Sequence, residues 1–217
     1  MHIKAVIWDL DGTLLNTLDD LAASTNAALE KNAMPIRTLD EVRAFVGNGV
    51  RNLMIRAVPD GEKNPAFEQT LADFVSHYAQ HSRDLTRPYD GVKEMLDGLG
   101  RKGVKHAIVS NKIDFAVKEL SALYFGGRMC AAIGDDPSRA RKPAPDSVFE
   151  AMRLMDVKPQ DCVYVGDSDV DVITARNAGI PCVAVSWGFR DEDCLKESGA
   201  VLIARTPQEL QEMIESL

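Results

Sequence analysis

Ile3 to Trp8 is an unbroken apolar, β-favouring run that stops abruptly at Asp9-Leu10-Asp11-Gly12-Thr13. Comparable runs recur at Val104 to Val109, Cys162 to Val165 and Cys182 to Val185, with a weaker one at Val201 to Ala204. Helical patterns lie between them at Gly91 to Gly100, Phe115 to Tyr124, Asp146 to Met155 and Val170 to Ala178. Near-continuous apolar strands separated by helices of that length are βαβ units, whose parallel sheet is covered on both faces. The expectation is an α/β fold built on a doubly wound, Rossmann-like parallel sheet. At the far end of the chain, Thr206 is placed to cap a helix with Pro207 at its first position and Glu209 in the capping-box place. Leu210, Met213, Ile214 and Leu217 form that helix's apolar stripe.

From about Thr17 to Arg87 the rhythm breaks, because this segment carries helical patterns and no convincing strand. Leu18, Leu21, Ala22, Thr25, Ala28 and Leu29 share one stripe; Thr38 and Glu41 make a capping box before Val42, Phe45 and Val46; a further helix covers roughly Ala66 to Ala79. Such a length exceeds an ordinary crossover connection. The expected organisation is an α/β core of residues 1–16 and 85–217, with an inserted helical cap domain at 17–84. The cap would lie over the C-terminal end of the first strand, where open α/β sheets place their ligands. A single α/β domain with a long helical excursion is the alternative.

Composition narrows the class. The chain has 217 residues, 45% hydrophobic and 27% charged, which is enough to bury a core without staples. Its 25 Lys and Arg against 33 Asp and Glu give a net charge of −8, so a broad attraction to nucleic acid or anionic lipid is not expected. No run approaches the roughly 18 consecutive apolar residues of a membrane span, and the N-terminal apolar run passes straight into acids rather than a cleavage site. A cytoplasmic protein without membrane partners is the expectation. Cys130, Cys162, Cys182 and Cys194 are scattered without a CxxC, which suits reduced thiols, with a redox role as the alternative.

The strand ends carry the chemistry. Asp9 and Asp11 are two apart, so extended geometry would point both carboxylates to one side. Gly12 permits a tight turn, and Thr13 offers a hydroxyl and an amide. Read alone, this string has a turn and helix cap as its lesser alternative. Ser110-Asn111-Lys112 follows the run ending at Val109, and Gly166-Asp167-Ser168-Asp169-Val170-Asp171 follows that ending at Val165. Between them Arg141-Lys142-Pro143-Ala144-Pro145 sets a cation in a stiffened loop. Two like charges at 4 Å repel by roughly 4 kcal/mol at an effective dielectric near 20. A divalent cation together with Lys142 would relieve such crowding, and the absence of nearby His or Cys favours Mg²⁺ over zinc. Asp169 and Asp171 have a helix-capping alternative.

Asp9-Leu10-Asp11-Gly12-Thr13, Ser110, Lys142 and Gly166-Asp167-Ser168-Asp169-Val170-Asp171, in that order, resemble the four motifs of the haloacid dehalogenase-like phosphohydrolases. The resemblance covers essentially the whole chain, including the spacing for a cap between the first two motifs. Phe45-Val46-Gly47-Asn48-Gly49-Val50-Arg51 and the short chain look most like the phosphoglycolate phosphatase group. This resemblance implies that Asp9 is the nucleophile that forms an aspartyl phosphate, while Asp11 protonates the leaving oxygen and then activates water. It implies Mg²⁺ held by Asp9, Asp167 and the Asp11 backbone carbonyl, with Asp171 holding the metal or its water shell. Thr13, Ser110, Asn111 and Lys142 would bind phosphate. An acid at Asp11 favours phosphatase over dehalogenase chemistry. The implied substrate is a small phosphorylated metabolite, phosphoglycolate first. Sugar phosphates, nucleotides and pyrophosphate are alternatives, and phosphoglucomutase-like or non-catalytic binding roles stand further off.

Other residues carry two readings. Gly47 and Gly49 either permit a bend between cap helices or join Arg51 in contacting a small anionic substrate; Arg51 is otherwise a surface arginine. Asn111 is a helix cap or a leaving-group contact. Trp8 and the pair His77 and His81 read as structural, and Trp187-Gly188-Phe189 as a pocket wall or core packing. The sequence leaves a homo-oligomer open.

Overall fold

A computed structural model describes residues 3–217. In chain order its elements are β1 (Ala5–Trp8), β2 (Leu15–Asn16), α1 (Leu18–Lys31), α2 (Leu39–Phe45), α3 (Val50–Ala57), α4 (Phe67–His81), β3 (Arg87–Pro88), α5 (Val92–Arg101), β4 (Lys105–Ile113) and α6 (Asp114–Phe125). They continue as β5 (Ala131–Asp135), α7 (Asp146–Met155), β6 (Cys162–Gly166), α8 (Asp169–Ala178), β7 (Cys182–Val185), α9 (Glu192–Glu197), β8 (Leu202–Ala204) and α10 (Pro207–Ser216). The chain divides into two compact units: one runs through Leu15 and resumes at Pro88, and the other is Asn16–Arg87.

The first unit is the α/β body. Its sheet has the order β5-β4-β1-β6-β7-β8, and every pair is parallel. Winding runs outward from β1 to β4 and β5, then crosses to β6 on the other flank of β1 and continues to β8. Its direction reverses beside β1, which is the switch point where such sheets open a crevice at their C-terminal ends. Because strand residues alternate faces, Val6 and Trp8 enter one core with Leu96 and Leu99 of α5 and Leu210 and Ile214 of α10. Ala5 and Ile7 enter the other with Val148 and Met152 of α7 and Ala175 of α8. Both faces of β1 are thus dry, which explains its unbroken apolar run.

Four expectations change in detail. β4 does not stop at Val109 but continues to Ile113, with a register shift against β5 between Val109 and Ile113. The edge strand β5 was not among the expected runs, since Ala-Ala-Ile-Gly-Asp has few β-formers and ends in residues that usually break strands. β8 begins at Leu202, one residue after the fully solvated Val201. Thr206 caps α10 by accepting from Glu209 N, whereas the Glu209 carboxylate takes the N–H of Arg205 rather than closing a capping box.

The second unit is helical. The stripe of α1 buries Leu18, Leu21, Ala22, Thr25, Ala28 and Leu29, and α4 buries Phe67, Thr70, Phe74 and Tyr78. Asp73 of α4 receives Lys31 Nζ at 2.7 Å and Asn32 Nδ2 at 2.9 Å. Thr38 and Glu41 form a closed capping box on α2. Asp20 is buried and accepts the N–H groups of Leu85 and Thr86.

One buried group in the α/β body makes stability depend on pH. His106 of β4 accepts from Trp8 Nε1 at Nδ1 and places Nε2 3.3 Å from Leu96 O, so the neutral Nε2–H tautomer satisfies both ring nitrogens. Burial pushes its pKa down to about 4. The unfolded chain, with an ordinary histidine near 6.5, therefore takes up the proton first on acidification. Stability from this residue is complete above about 6.5 and is lost as pH falls toward about 4, by on the order of 3 kcal/mol. Urea midpoints of the wild type and His106→Gln are expected to converge over that window; parallel pH profiles would show that His106 does not titrate between the states.

Candidate active site

An acidic crevice is assembled from strand ends. Asp9 follows β1 directly and donates its N–H to Val165 O at 2.8 Å, which ties the first motif to β6. The chain then turns back: Leu10 O accepts from the amides of Thr13, Leu14 and Leu15, with Gly12 at φ +82°. That conformation suits glycine. A Cβ on Gly12 would also lie 2.3 Å from Asp167 Oδ2, and one on Gly188 would lie 2.2 Å from Asp167 Cβ. Two glycines therefore make the cradle that admits the Asp167 side chain.

At the end of β6, Ser168 caps α8 in a capping box closed by Asp171. Asp171 is consequently fixed and wholly buried. Its Oδ2 accepts from Ser168 N at 3.1 Å and Ser168 Oγ at 2.6 Å, while its Oδ1 accepts from Lys142 Nζ at 2.8 Å and Tyr164 Oη at 3.1 Å. A Cβ on Gly166 would fall 2.2 Å from Asp171 Cγ, so this position too is held open by the lack of a side chain. Asp169 is the outward neighbour, 3.8 Å from Arg190 Nε, and belongs to the helix surface.

Lys142 Nζ lies 2.9 Å from Asp9 Oδ1. Asp9 nevertheless has its pKa raised to about 7, first by burial and then by the charge of Asp171, against the lowering effect of Lys142. Asp167 is pushed well above the usual carboxylate range by burial and by the charges of Asp171 and Asp9, although Phe189 N–H and Thr13 Oγ–H bind it. Burial opposes the Lys142 ammonium, but Asp171 and Asp9 outweigh it and hold the pKa well above its ordinary value. An excess of buried negative charge is thus built into the crevice.

Asp11 stands apart from that cluster. Its carboxylate is gripped by Lys112 Nζ at 2.8 and 3.1 Å, and the lysine side chain is almost fully buried. The sequence reading assigned Lys112 no role; its signal was the i, i+2 spacing from Ser110, legible only once β4 is known to run on to Ile113. Ser110 is buried at the same edge and accepts from Lys112 N, and Asn111 Nδ2 donates to Lys142 O at 3.0 Å, which joins the second motif to the third. Thr13 gives its hydroxyl to Asp167 Oδ1 at 3.1 Å, and its carbonyl accepts from Trp187 Nε1 at 3.0 Å. Trp8 is a core residue, as its place in β1 requires.

Gly47, Gly49 and Arg51 belong to the helical unit, at and just before α3. Both glycines have positive φ, 122° and 84°. Arg51 binds Glu62 at 2.8 Å and Glu68 at 2.6 Å, lies over the Phe67 ring, and has its pKa raised by those two carboxylates. His77 and His81 stack, binding Ser24 and Asp84 respectively. All four cysteines are free thiols, with Cys162 buried and Cys130 exposed.

Carboxylate oxygens of Asp9, Asp167 and Asp171 lie within 4.8 Å of one another. An all-oxygen donor set, more negative charge than Lys142 offsets, and a glycine cradle around Asp167 fit a hard divalent cation such as Mg²⁺. Asp9 and Asp167 are the better placed to hold it directly, since every acceptor site of Asp171 already receives a protein donor.

Fold and site together define a doubly wound α/β protein with an acidic switch-point crevice whose carboxylates could hold a divalent cation. The family model described as Haloacid dehalogenase-like hydrolase matches residues 6–185, and the chain belongs to that family. Within it, the likeness is to the phosphoglycolate phosphatase group. A phosphoglycolate phosphatase of Xanthomonas campestris pv. campestris is 35% identical over 94% of this chain and 94% of its own. Phosphoglycolate phosphatase 1 of Pseudomonas aeruginosa is 34% identical over 92% of this chain and 75% of its own. A crystal structure from Lactobacillus delbrueckii subsp. bulgaricus, provisionally named a phosphoglycolate phosphatase, superposes with TM-score 0.95 at 33% identity, covering 100% of both chains. Among the described residues, no helix is long and apolar enough to cross a membrane.

Proposed function

We propose that this chain is a Mg²⁺-dependent phosphomonoesterase that works through an aspartyl phosphate, with phosphoglycolate as its substrate. The observation that carries the reading is the separation of two carboxylates two residues apart: Asp9 sits with Lys142 in the metal-type cluster, while Asp11 is held outside it by Lys112. That separation supports Asp9 as the nucleophile and Asp11 as the proton carrier, the division of labour that phosphoryl transfer through a covalent intermediate needs.

Asp9 attacks phosphorus, the ester P–O bond breaks, and Asp11 gives its proton to the departing alkoxide. Asp11 then takes a proton from water as that water attacks the phosphorus of the acyl phosphate, which returns the Asp9 carboxylate and releases inorganic phosphate. Mg²⁺ held by Asp9 and Asp167 would supply charge neutralisation for the phosphoryl oxygens. Lys142, 2.9 Å from Asp9, together with Thr13, Ser110 and Asn111, would bind the phosphate oxygens. The named activities of the relatives, together with Val46-Gly47-Asn48-Gly49-Val50-Arg51, support phosphoglycolate.

Phosphate release measured across phosphoglycolate, hexose phosphates, nucleotides and pyrophosphate, with Mg²⁺ or excess EDTA, tests both parts. Mg²⁺-dependent preference for phosphoglycolate is the expected result. Equal rates on unrelated esters would keep the chemistry and remove the substrate; no turnover on any member would remove the phosphatase reading.

A further inference from the structure

Lys142 has three N–H groups to donate. The structure gives it two hydrogen-bond acceptors, Asp171 Oδ1 at 2.8 Å and Tyr164 Oη at 3.0 Å, while Asp9 Oδ1 stands 2.9 Å away as an ion-pair partner that receives no aligned hydrogen bond. Tyr164 is wholly buried in β6, two residues before the Gly166 that opens the acidic loop. Its hydroxyl has its own outlets, Asp171 Oδ1 at 3.1 Å and Val109 O at 3.3 Å. The ring is anchored in the apolar layer shared with Ile7 and Val109, so its hydroxyl has little freedom to move. Burial raises its pKa well above the ordinary phenol value, which keeps it a neutral hydroxyl beside the ammonium.

We propose that Tyr164 is a positioning residue that acts through Lys142: its hydroxyl takes one ammonium proton and, together with Asp171, holds the charge of Lys142 2.9 Å from Asp9. This rests on the phosphatase reading. In this arrangement two N–H groups of Lys142 are held by Tyr164 and Asp171, and the third is left to serve Asp9 and a phosphate oxygen. A lysine is a flexible stem carrying a point charge, and without the second fixed acceptor its side chain is freer to change rotamer and carry the ammonium away from Asp9. A tyrosine hydroxyl is suited to that place because it is neutral and adds no charge to an acidic crevice. A third carboxylate there would compete with Asp9 for the same cation.

Tyr164→Phe keeps the ring and removes only the hydroxyl. Deleting one hydrogen bond to a charged group is expected to lower kcat about tenfold with KM changed less than about twofold, because Asp9 rather than substrate binding is disturbed. The decisive comparison is the same substitution in a Lys142→Arg background, where the cation survives but cannot present an ammonium to the hydroxyl. There the loss is expected to shrink below about threefold, the signature of two residues acting as one unit. An equal loss in both backgrounds, or unchanged kcat in the single variant, would overturn the role. A wild type without phosphatase activity would overturn the functional reading and this role with it; an active wild type with an indifferent Tyr164→Phe overturns only this role. Should the variant fail to fold, the wild-type protein decides: a slowly exchanging Lys142 ammonium resonance with cross-peaks to the Tyr164 ring is expected by NMR, and its absence counts against the proposal.

Discussion

Asp9→Asn is expected to abolish turnover, by about 10⁴-fold or more, while leaving a folded protein that is more stable than the wild type when both are metal-free at alkaline pH. The first half follows from chemistry, since a carboxamide does not form the acyl phosphate. The second follows from linkage. Asp9 keeps its proton in the folded state up to about pH 7, whereas an unfolded aspartate releases it near 3.8. Between those values the native state binds the extra proton, so raising the pH through the window lowers stability, and the full loss is present above it. Asparagine carries no such charge. The stability difference between the two proteins in EDTA is therefore expected to open between about pH 4 and 7 and to close again in acid. Chemical denaturation across that range, with phosphate release at each pH, checks both halves. Residual Mg²⁺-dependent turnover near the wild-type rate would remove Asp9 as nucleophile, and a constant stability difference would show that its charge is not the destabilising one.

How far the sequence led depends on whether a feature is written in one segment or in several. β1 and β6 are dry on both faces, so their apolar runs announce them, and Asp9 and Asp167 are legible because each begins where such a run ends. The capping boxes of α2 and α8 are local and equally readable. β5 was missed because its strand character comes from pairing with β4 and not from its own residues. Lys112 was passed over for a related reason: its meaning lies in reaching Asp11, 101 residues earlier in the chain. Tyr164 reads as one more core aromatic until Lys142 and Asp171 arrive from other elements to meet its hydroxyl. Gly188 seems an ordinary turn residue until the backbone brings it against Asp167. Strand ends and caps are local physics, whereas the partners that tune a catalytic carboxylate are tertiary.

Lys142→Met should have the largest effect on stability, because it removes the ammonium and leaves Asp9, Asp167 and Asp171 with their carboxylate oxygens within 4.8 Å of one another. Breaking a buried ion pair by deleting one partner costs about 3–5 kcal/mol, and here one cation serves two carboxylates. Metal-free protein at neutral pH is expected to lose that much in a urea titration. Two treatments should recover part of it. Acid does so by protonating the cluster, in which Asp9, already raised to about 7, rises further once Lys142 is gone. Mg²⁺ does so by binding the folded state alone, which adds about 2.7 kcal/mol at a hundred times its dissociation constant. Neither should restore turnover, since Asp9 would then lack the group that orients it. If Lys142→Met were as stable as the wild type in EDTA, the carboxylates would not be under mutual strain and the case for a divalent cation drawn from their crowding would fall. If Mg²⁺ restored stability and full turnover together, charge neutralisation alone would suffice, and the orienting role assigned to Lys142 and Tyr164 would be wrong.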